Sequence, residues 1–170
     1  MIFTLIGFMG CGKSSVGKSL ADALGWDFAD SDALIEKGEK MKIPEIFSSL
    51  SETGFRKLEY SYISDTVSKY RKEGMNHLIF ALGGGAPVYR PTAELISRQT
   101  CTIYFKCPVE ELIDNLKTDG IENRPLLKGG NLESKVKGLL SERETVYSEC
   151  ASMTVHPYSL TPEMLKNRLR

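Results

Sequence analysis

Short apolar runs alternate with longer amphipathic stretches along the chain. That alternation predicts an α/β sandwich. Ile2-Phe3-Thr4-Leu5-Ile6 reads as a first buried strand. Val16, Leu20, Ala23 and Leu24 then recur at helical spacing, so Lys13 to Leu24 is expected to be a helix stopped by Gly25. Asp27 to Asp30 is a short second strand. Ile43 to Leu50 and Phe55 to Tyr70 carry helical patterns, with Gly54 between them. His77 to Leu82 is a third strand, ending at Gly83-Gly84-Gly85. Cys101 to Lys106 is a fourth, and Pro108 opens a helix to about Thr118. The segment from Asp119 to Asn131 breaks the pattern: it holds glycines, a proline and scattered charge, but no sustained apolar stripe. A loop of this length in a compact domain is expected to be a mobile lid. Glu133 to Ser148 returns to helix, and Met153 to Val155 forms a fifth strand. Thr161-Pro162 starts a last helix with an N-cap residue and a proline at N1. Strands alternating with helices require crossover connections. The sheet is therefore expected to be parallel, with ligands at the carboxyl ends of its strands.

Composition narrows the class. At 170 residues one domain spanning 1–170 is expected, with enough chain to bury a core. Lys plus Arg and Asp plus Glu both number 22, so the net charge is zero. A nucleic-acid binder would need a basic footprint. The uncharged stretches Met1 to Gly12 and His77 to Tyr89 fall short of the ~20 apolar residues of a membrane span. No signal peptide is visible. Cys11, Cys101, Cys107 and Cys150 form no C-x-x-C pair, and His77 and His156 sit near none of them in sequence. That argues against a metal cluster or a disulfide framework, and for thiols in a reducing cytoplasm.

The chemistry starts at Gly7-Phe8-Met9-Gly10-Cys11-Gly12-Lys13-Ser14, which matches G-x-x-x-x-G-K-[ST] between a strand and a helix. Backbone N–H groups there can cradle phosphates, Lys13 can reach the β- and γ-phosphates, and the Ser14 hydroxyl can ligate Mg²⁺. A GTPase switch would carry an N-K-x-D guanine reader, and none occurs. A motor ATPase is larger, with an acidic residue ending a hydrophobic strand, where this chain has glycines. A small-molecule kinase fits best. Asp30-Ser31-Asp32 ends the second strand, where residues two apart share a face. One carboxylate could serve the Mg²⁺ shell and the other could orient an acceptor hydroxyl. Alternatively, Asp32 only caps the next helix. The glycine triplet could bring a ligand close to the backbone, or could simply be a tight turn. Arg56, Arg124 and Arg143 are unremarkable singly. Arg56 follows Phe55, Arg124 precedes Pro125-Leu126-Leu127 in the expected lid, and Arg143 lies four residues before Tyr147.

Together these segments resemble the shikimate kinase family, from the first strand to Ala151. The matching stretches are the P-loop, D-S-D at Asp30 with Ile35-Glu36, I-x-x-I-F at Ile43, F-R-x-x-E at Phe55, the glycine triplet, R-P-L-L at Arg124, and E-R-x-x-x-Y-x-E-x-A from Glu142. The resemblance implies a three-layer P-loop kinase fold with a five-stranded parallel sheet and a mobile lid over about 119–131. It implies a cytoplasmic enzyme that turns ATP and shikimate into ADP and shikimate 3-phosphate, toward the aromatic amino acids. Gly10, Cys11, Gly12, Lys13, Ser14 and Ser15 would wrap the ATP phosphates. Ser14 would ligate Mg²⁺ with support from Asp30. Asp32 would contact the shikimate hydroxyls and assist as base. Arg56 and Arg143 would hold the carboxylate, Gly84 and Gly85 would add backbone contacts, and Arg124 would swing in on the lid. Lys117 stands where the family often has an arginine at the nucleotide, keeping the charge but losing the flat face. Leu160, in the expected adenine loop from His156 to Pro162, would contribute backbone. Ser51 replaces a usual glycine before Glu52. A gluconate or nucleoside monophosphate kinase, and a catalytically dead nucleotide-binding regulator, are the alternatives. No nucleic-acid or membrane partner is expected, and the absence of a heptad or long apolar stripe favours a monomer.

Overall fold

Ile2–Ile6 (β1) is buried at every position, so both of its faces must be covered by other elements. In the computed structural model, which describes residues 1–72, 74–122 and 124–169, it is the centre of a five-stranded sheet. Asn123, inside the expected lid, lies outside the described residues. The strand order is β2-β3-β1-β4-β5, with β2 Asp27–Asp30, β3 Leu78–Ala81, β4 Cys101–Phe105 and β5 Met153–Val155. All pairings are parallel. Successive strands are joined by crossovers through the helices α1 (Lys13–Leu24), α2 (Ser31–Glu39), α3 (Ile43–Ser49), α4 (Glu52–Tyr70), α5 (Arg90–Gln99), α6 (Val109–Asp119) and α7 (Leu132–Cys150). A last helix, α8, spans Pro162–Asn167. Helix α1 packs with α8, while α4, α5 and α7 pack in a row, giving the three layers. Phe3, Phe80, Phe105, Tyr104 and Tyr147 fill the core between them.

Most element ends fall where the residue chemistry puts them. Gly25 closes α1 in the left-handed region at φ 66°, and Thr161 caps α8 through Met164 N–H. Two expectations change. Gly54 does not separate helices: α4 starts at Glu52, and Ser51 caps it by accepting from Gly54 N–H at 3.0 Å. Asp32 does not continue a strand, because α2 begins at Ser31 and Asp32 sits in its first turn. The cap there is Asp30, whose carboxylate accepts from the N–H groups of Asp32 and Ala33. Helices α2 and α5 each bury one large apolar side chain in full, Ile35 and Ile96.

A second, smaller apolar cluster stands apart from the main core. Ile35, Ile46 and Phe55 form it, with Ile43, Phe47, Leu58 and Tyr62 packed around them. Glu36 ties α2 to α3 by accepting from Ile43 N–H at 3.0 Å and pairing with Lys42. This cluster builds a wall beside the carboxyl edge of the sheet. Among the described residues, no helix is long and apolar enough to cross a membrane.

Candidate active site

Register decides what meets at the sheet's carboxyl edge. Leu5 of β1 and Asp30 of β2 both pair with Ala81 of β3. The residues leaving those strands are therefore neighbours: the P-loop, the start of α2 and the glycine triplet. They enclose a cavity of about 490 Å³. Its lining includes Gly10, Gly12, Lys13, Ser14, Ser15, Asp30, Asp32, Arg56, Gly84, Gly85, Arg124 and Arg143, residues more than a hundred positions apart in the chain. Three expected ATP-contact residues do not line it. Cys11 is buried beneath the loop, Leu160 is buried in the main core, and Lys117 is exposed on α6. The Cys11 and Leu160 side chains pack in the core, which leaves only their backbone groups for a nucleotide.

Gly12 enters α1 from the left-handed region at φ 85°, a conformation suited to glycine that turns the loop sharply into the helix N-terminus. The Lys13 ammonium lies against the loop, donating to the carbonyl oxygens of Gly7 at 2.8 Å and Phe8 at 2.9 Å. Asn115 on α6 holds the loop from outside by donating to Gly10 O at 2.8 Å. The Ser14 hydroxyl donates to Asp30 at 2.5 Å. These two oxygens, with no sulfur or nitrogen donor, are a donor set suited to a hard cation such as Mg²⁺.

Asp32 reaches the cavity from the first turn of α2 rather than from an extended strand. Burial, reinforced by the neighbouring Asp30, pushes its carboxyl up to about 6, against the pull of Lys13 and Arg56. Across from it, Arg56 is 8% exposed and pairs with the buried Glu59 at 2.7 Å. Burial also pushes Glu59 up, to about 7, against the Arg56 charge. Arg143, 5% exposed, lies over the Phe8 ring. Among the described residues, Arg56 Nε and Arg143 Nη1 are buried with no hydrogen-bond partner. A buried cation with an unpaired donor is costly unless an anion meets it.

The glycine triplet serves these side chains. A Cβ on Gly85 would collide with Arg56 Nη2, and one on Gly83 would sit 2.8 Å from Asp32 and 2.9 Å from Glu59. One on Gly84 would press on Met9 N at 3.1 Å. The close approach expected of a ligand is thus first an approach of the protein's own acids and arginine. Gly85→Ala should accordingly leave the fold intact but displace the Arg56 guanidinium. We expect a rise in the KM of the anionic acceptor by roughly 10- to 150-fold, the worth of about 1.5–3 kcal/mol for one charge-assisted hydrogen bond. Steady-state kinetics measure it, and an unchanged KM would mean that Arg56 plays no part in acceptor binding.

Glu59, Asn115 and Tyr147 were not assigned a role from the residues. Glu59 could have been found from its i,i+3 spacing to Arg56. Tyr147, whose hydroxyl donates to Gly84 O, and Asn115 carry no such local signal.

A P-loop at the edge of a parallel sheet, an oxygen pair for a hard cation and a two-arginine pocket define a small-molecule kinase of the P-loop class. The shikimate kinase family profile matches residues 9–169. The shikimate kinase of Halorhodospira halophila is 36% identical over 151 residues, covering 89% of this chain and 81% of that protein. That of Thermodesulfovibrio yellowstonii is 36% identical over 165 residues, 97% of this chain and 90% of that one. The structure of the Acinetobacter baumannii shikimate kinase in complex with shikimate superposes with a TM-score of 0.87 at 34% identity, covering 99% of this chain and 92% of that one. The chain belongs to the shikimate kinase family.

Proposed function

We propose that this cavity transfers the γ-phosphoryl group of ATP to the 3-hydroxyl of shikimate, with the residues lining it in the following roles. The single observation that carries the assignment of the acceptor side is the pair of buried guanidinium groups, Arg56 and Arg143, each with an unpaired donor, facing the P-loop across one cavity. A carboxylate satisfies both, and the planar fork of arginine matches it bidentately. The P-loop amides from Gly10 to Ser15 cradle the phosphates. Lys13 exchanges its bonds to Gly7 and Phe8 for phosphate oxygens. Ser14 and Asp30 would hold Mg²⁺, which supplies charge neutralisation across the β- and γ-phosphates.

Asp32 orients the 3-hydroxyl and accepts its proton as the oxygen bonds to the γ-phosphorus and the bond to the ADP oxygen breaks. With its carboxyl near 6 it is ionised at neutral pH yet basic enough to take a proton. Arg124 meets the charge that develops on the transferred group. No covalent intermediate is needed, because phosphoryl transfer asks for positioning and charge neutralisation.

A coupled assay offering shikimate, gluconate and nucleoside monophosphates with Mg-ATP tests the reading. Fast turnover is expected with shikimate alone, and equal turnover with gluconate overturns it. Arg56→Lys and Arg143→Lys should each raise the KM for shikimate roughly 10- to 150-fold, as one arm of a bidentate charge-assisted pair is lost. Unchanged KM in both would put the carboxylate elsewhere.

A further inference from the structure

His156 and Cys107 are 49 positions apart in the chain, yet the fold makes them neighbours. Strands β4 and β5 pair in parallel, with Phe105 opposite Val155 and Lys106 N–H bonded to Val155 O at 3.0 Å. The residues that leave the two strand ends therefore emerge side by side. Glu111 joins them from the first turn of α6, four residues after Cys107. The Cys107 thiol, a Glu111 carboxylate oxygen and a His156 ring nitrogen all lie within 4.8 Å of one another. His156 Nε2 is 3.0 Å from Glu111 Oε2. Cys107 is buried, and the other two are half-buried, so the trio opens to solvent on one side. None of the three lines the catalytic cavity.

We infer that Cys107, Glu111 and His156 form a binding site for a borderline-soft divalent cation, zinc foremost. Thiolate, imidazole and carboxylate are the three donor types that zinc takes, and three protein ligands leave an open fourth position. Magnesium prefers an all-oxygen set, so it belongs with Ser14 and Asp30 and not here. A plain imidazole–carboxylate pair at half exposure would be worth little and would not call for a thiol converging on it. When the cation enters, the Cys107 sulfur bonds to it and the thiol proton passes to solvent.

The place of the site gives it a consequence. Cys107 Sγ lies 3.9 Å from Cys11 O, so the cation sits behind the P-loop, near a residue two positions before Lys13. Occupancy would tie the β4–α6 corner to the segment after β5. Because it would bind the folded state through ligands from two segments far apart in the chain, it should raise the melting temperature.

The test is a Co²⁺ titration of the full chain in excess Mg²⁺, followed by absorption spectroscopy. One equivalent of Co²⁺ should produce a sulfur-to-metal charge-transfer band, which the oxygen pair at Ser14 and Asp30 cannot give. Zn²⁺ should erase the band and raise the melting temperature. Cys107→Ser should abolish it. His156→Ala and Glu111→Gln change half-buried groups that the fold tolerates, and each should weaken binding by at least the roughly 10–100-fold seen for removal of second-shell partners. Cys101→Ser, at the far end of β4, should leave the band in place. The inference is overturned if no band appears, or if the band survives Cys107→Ser and His156→Ala at unchanged affinity.

Discussion

Asp32→Asn should lower kcat by roughly 10²–10⁴-fold while leaving ATP binding largely intact. The amide keeps the shape of the carboxylate and cannot accept the hydroxyl proton. The wild-type pH profile of kcat/KM should fall on the acid side of about pH 6, where burial and Asp30 hold the Asp32 carboxyl protonated. The same environment makes a second, opposite forecast. The folded-state value, about 6, lies above the ordinary 3.8, so the folded protein binds the extra proton between the two. Stability therefore falls as pH rises through that window, by about 3 kcal/mol for a shift of roughly two units. The uncharged amide of the variant escapes that cost. The variant should thus melt several degrees above wild type at pH 8, and the difference should close near pH 4. A residue that only shaped the start of α2 would lose stability and keep kcat. Near-normal turnover in Asp32→Asn would reduce the residue to that role, and the helix cap itself is already supplied by Asp30.

Arg124→Ala should cut kcat more than it raises the KM for shikimate. Transition-state arginines in phosphoryl transfer are worth around 10³–10⁵-fold, and one that also touches ground-state ATP should show less. The local structure fits a hinged segment. The guanidinium lines the cavity and donates to Gly120 O at 2.5 Å. Gly120, at φ 80°, and Gly130, at φ 74°, occupy backbone conformations that other residues rarely adopt, one on each side of Arg124 and Pro125. Between them Leu127 is anchored in the core, so the moving part would be shorter than the segment from Asp119 to Asn131. Hydrogen exchange separates the cases. Amides before Leu127 should exchange fast in the free protein and slow sharply with ADP and shikimate together. If they are protected without ligand, the segment is a fixed wall and Arg124 a static part of the ATP site.

Local chemistry explains what could be read in advance. The P-loop was legible because its task belongs to consecutive backbone groups, punctuated by glycines and flanked by an apolar strand and a helix. The ends of β1, α1, β2 and β5 were legible for the same reason: their stop signals lie within a residue or two of each end. Helices α2 and α5 were not. Each is short, at nine and ten residues, and fixes only one large apolar side chain fully in the core, so few positions mark its helical period. Asp30 and Asp32 stood out as a pair, but not their division of labour. That depends on α2 beginning at Ser31, which turns the first carboxylate into a cap and a partner of Ser14 and leaves the second free.

By itself the sequence determined the parallel α/β architecture, the phosphate loop and the family, because each rests on short-range spacing and turn chemistry. Only the tertiary structure decided that the glycine triplet yields its space to Arg56, Asp32 and Glu59, and that His156 meets Cys107 and Glu111. Those contacts join residues through strand register and helix packing, and the order of residues along the chain carries no local trace of which strands will lie side by side.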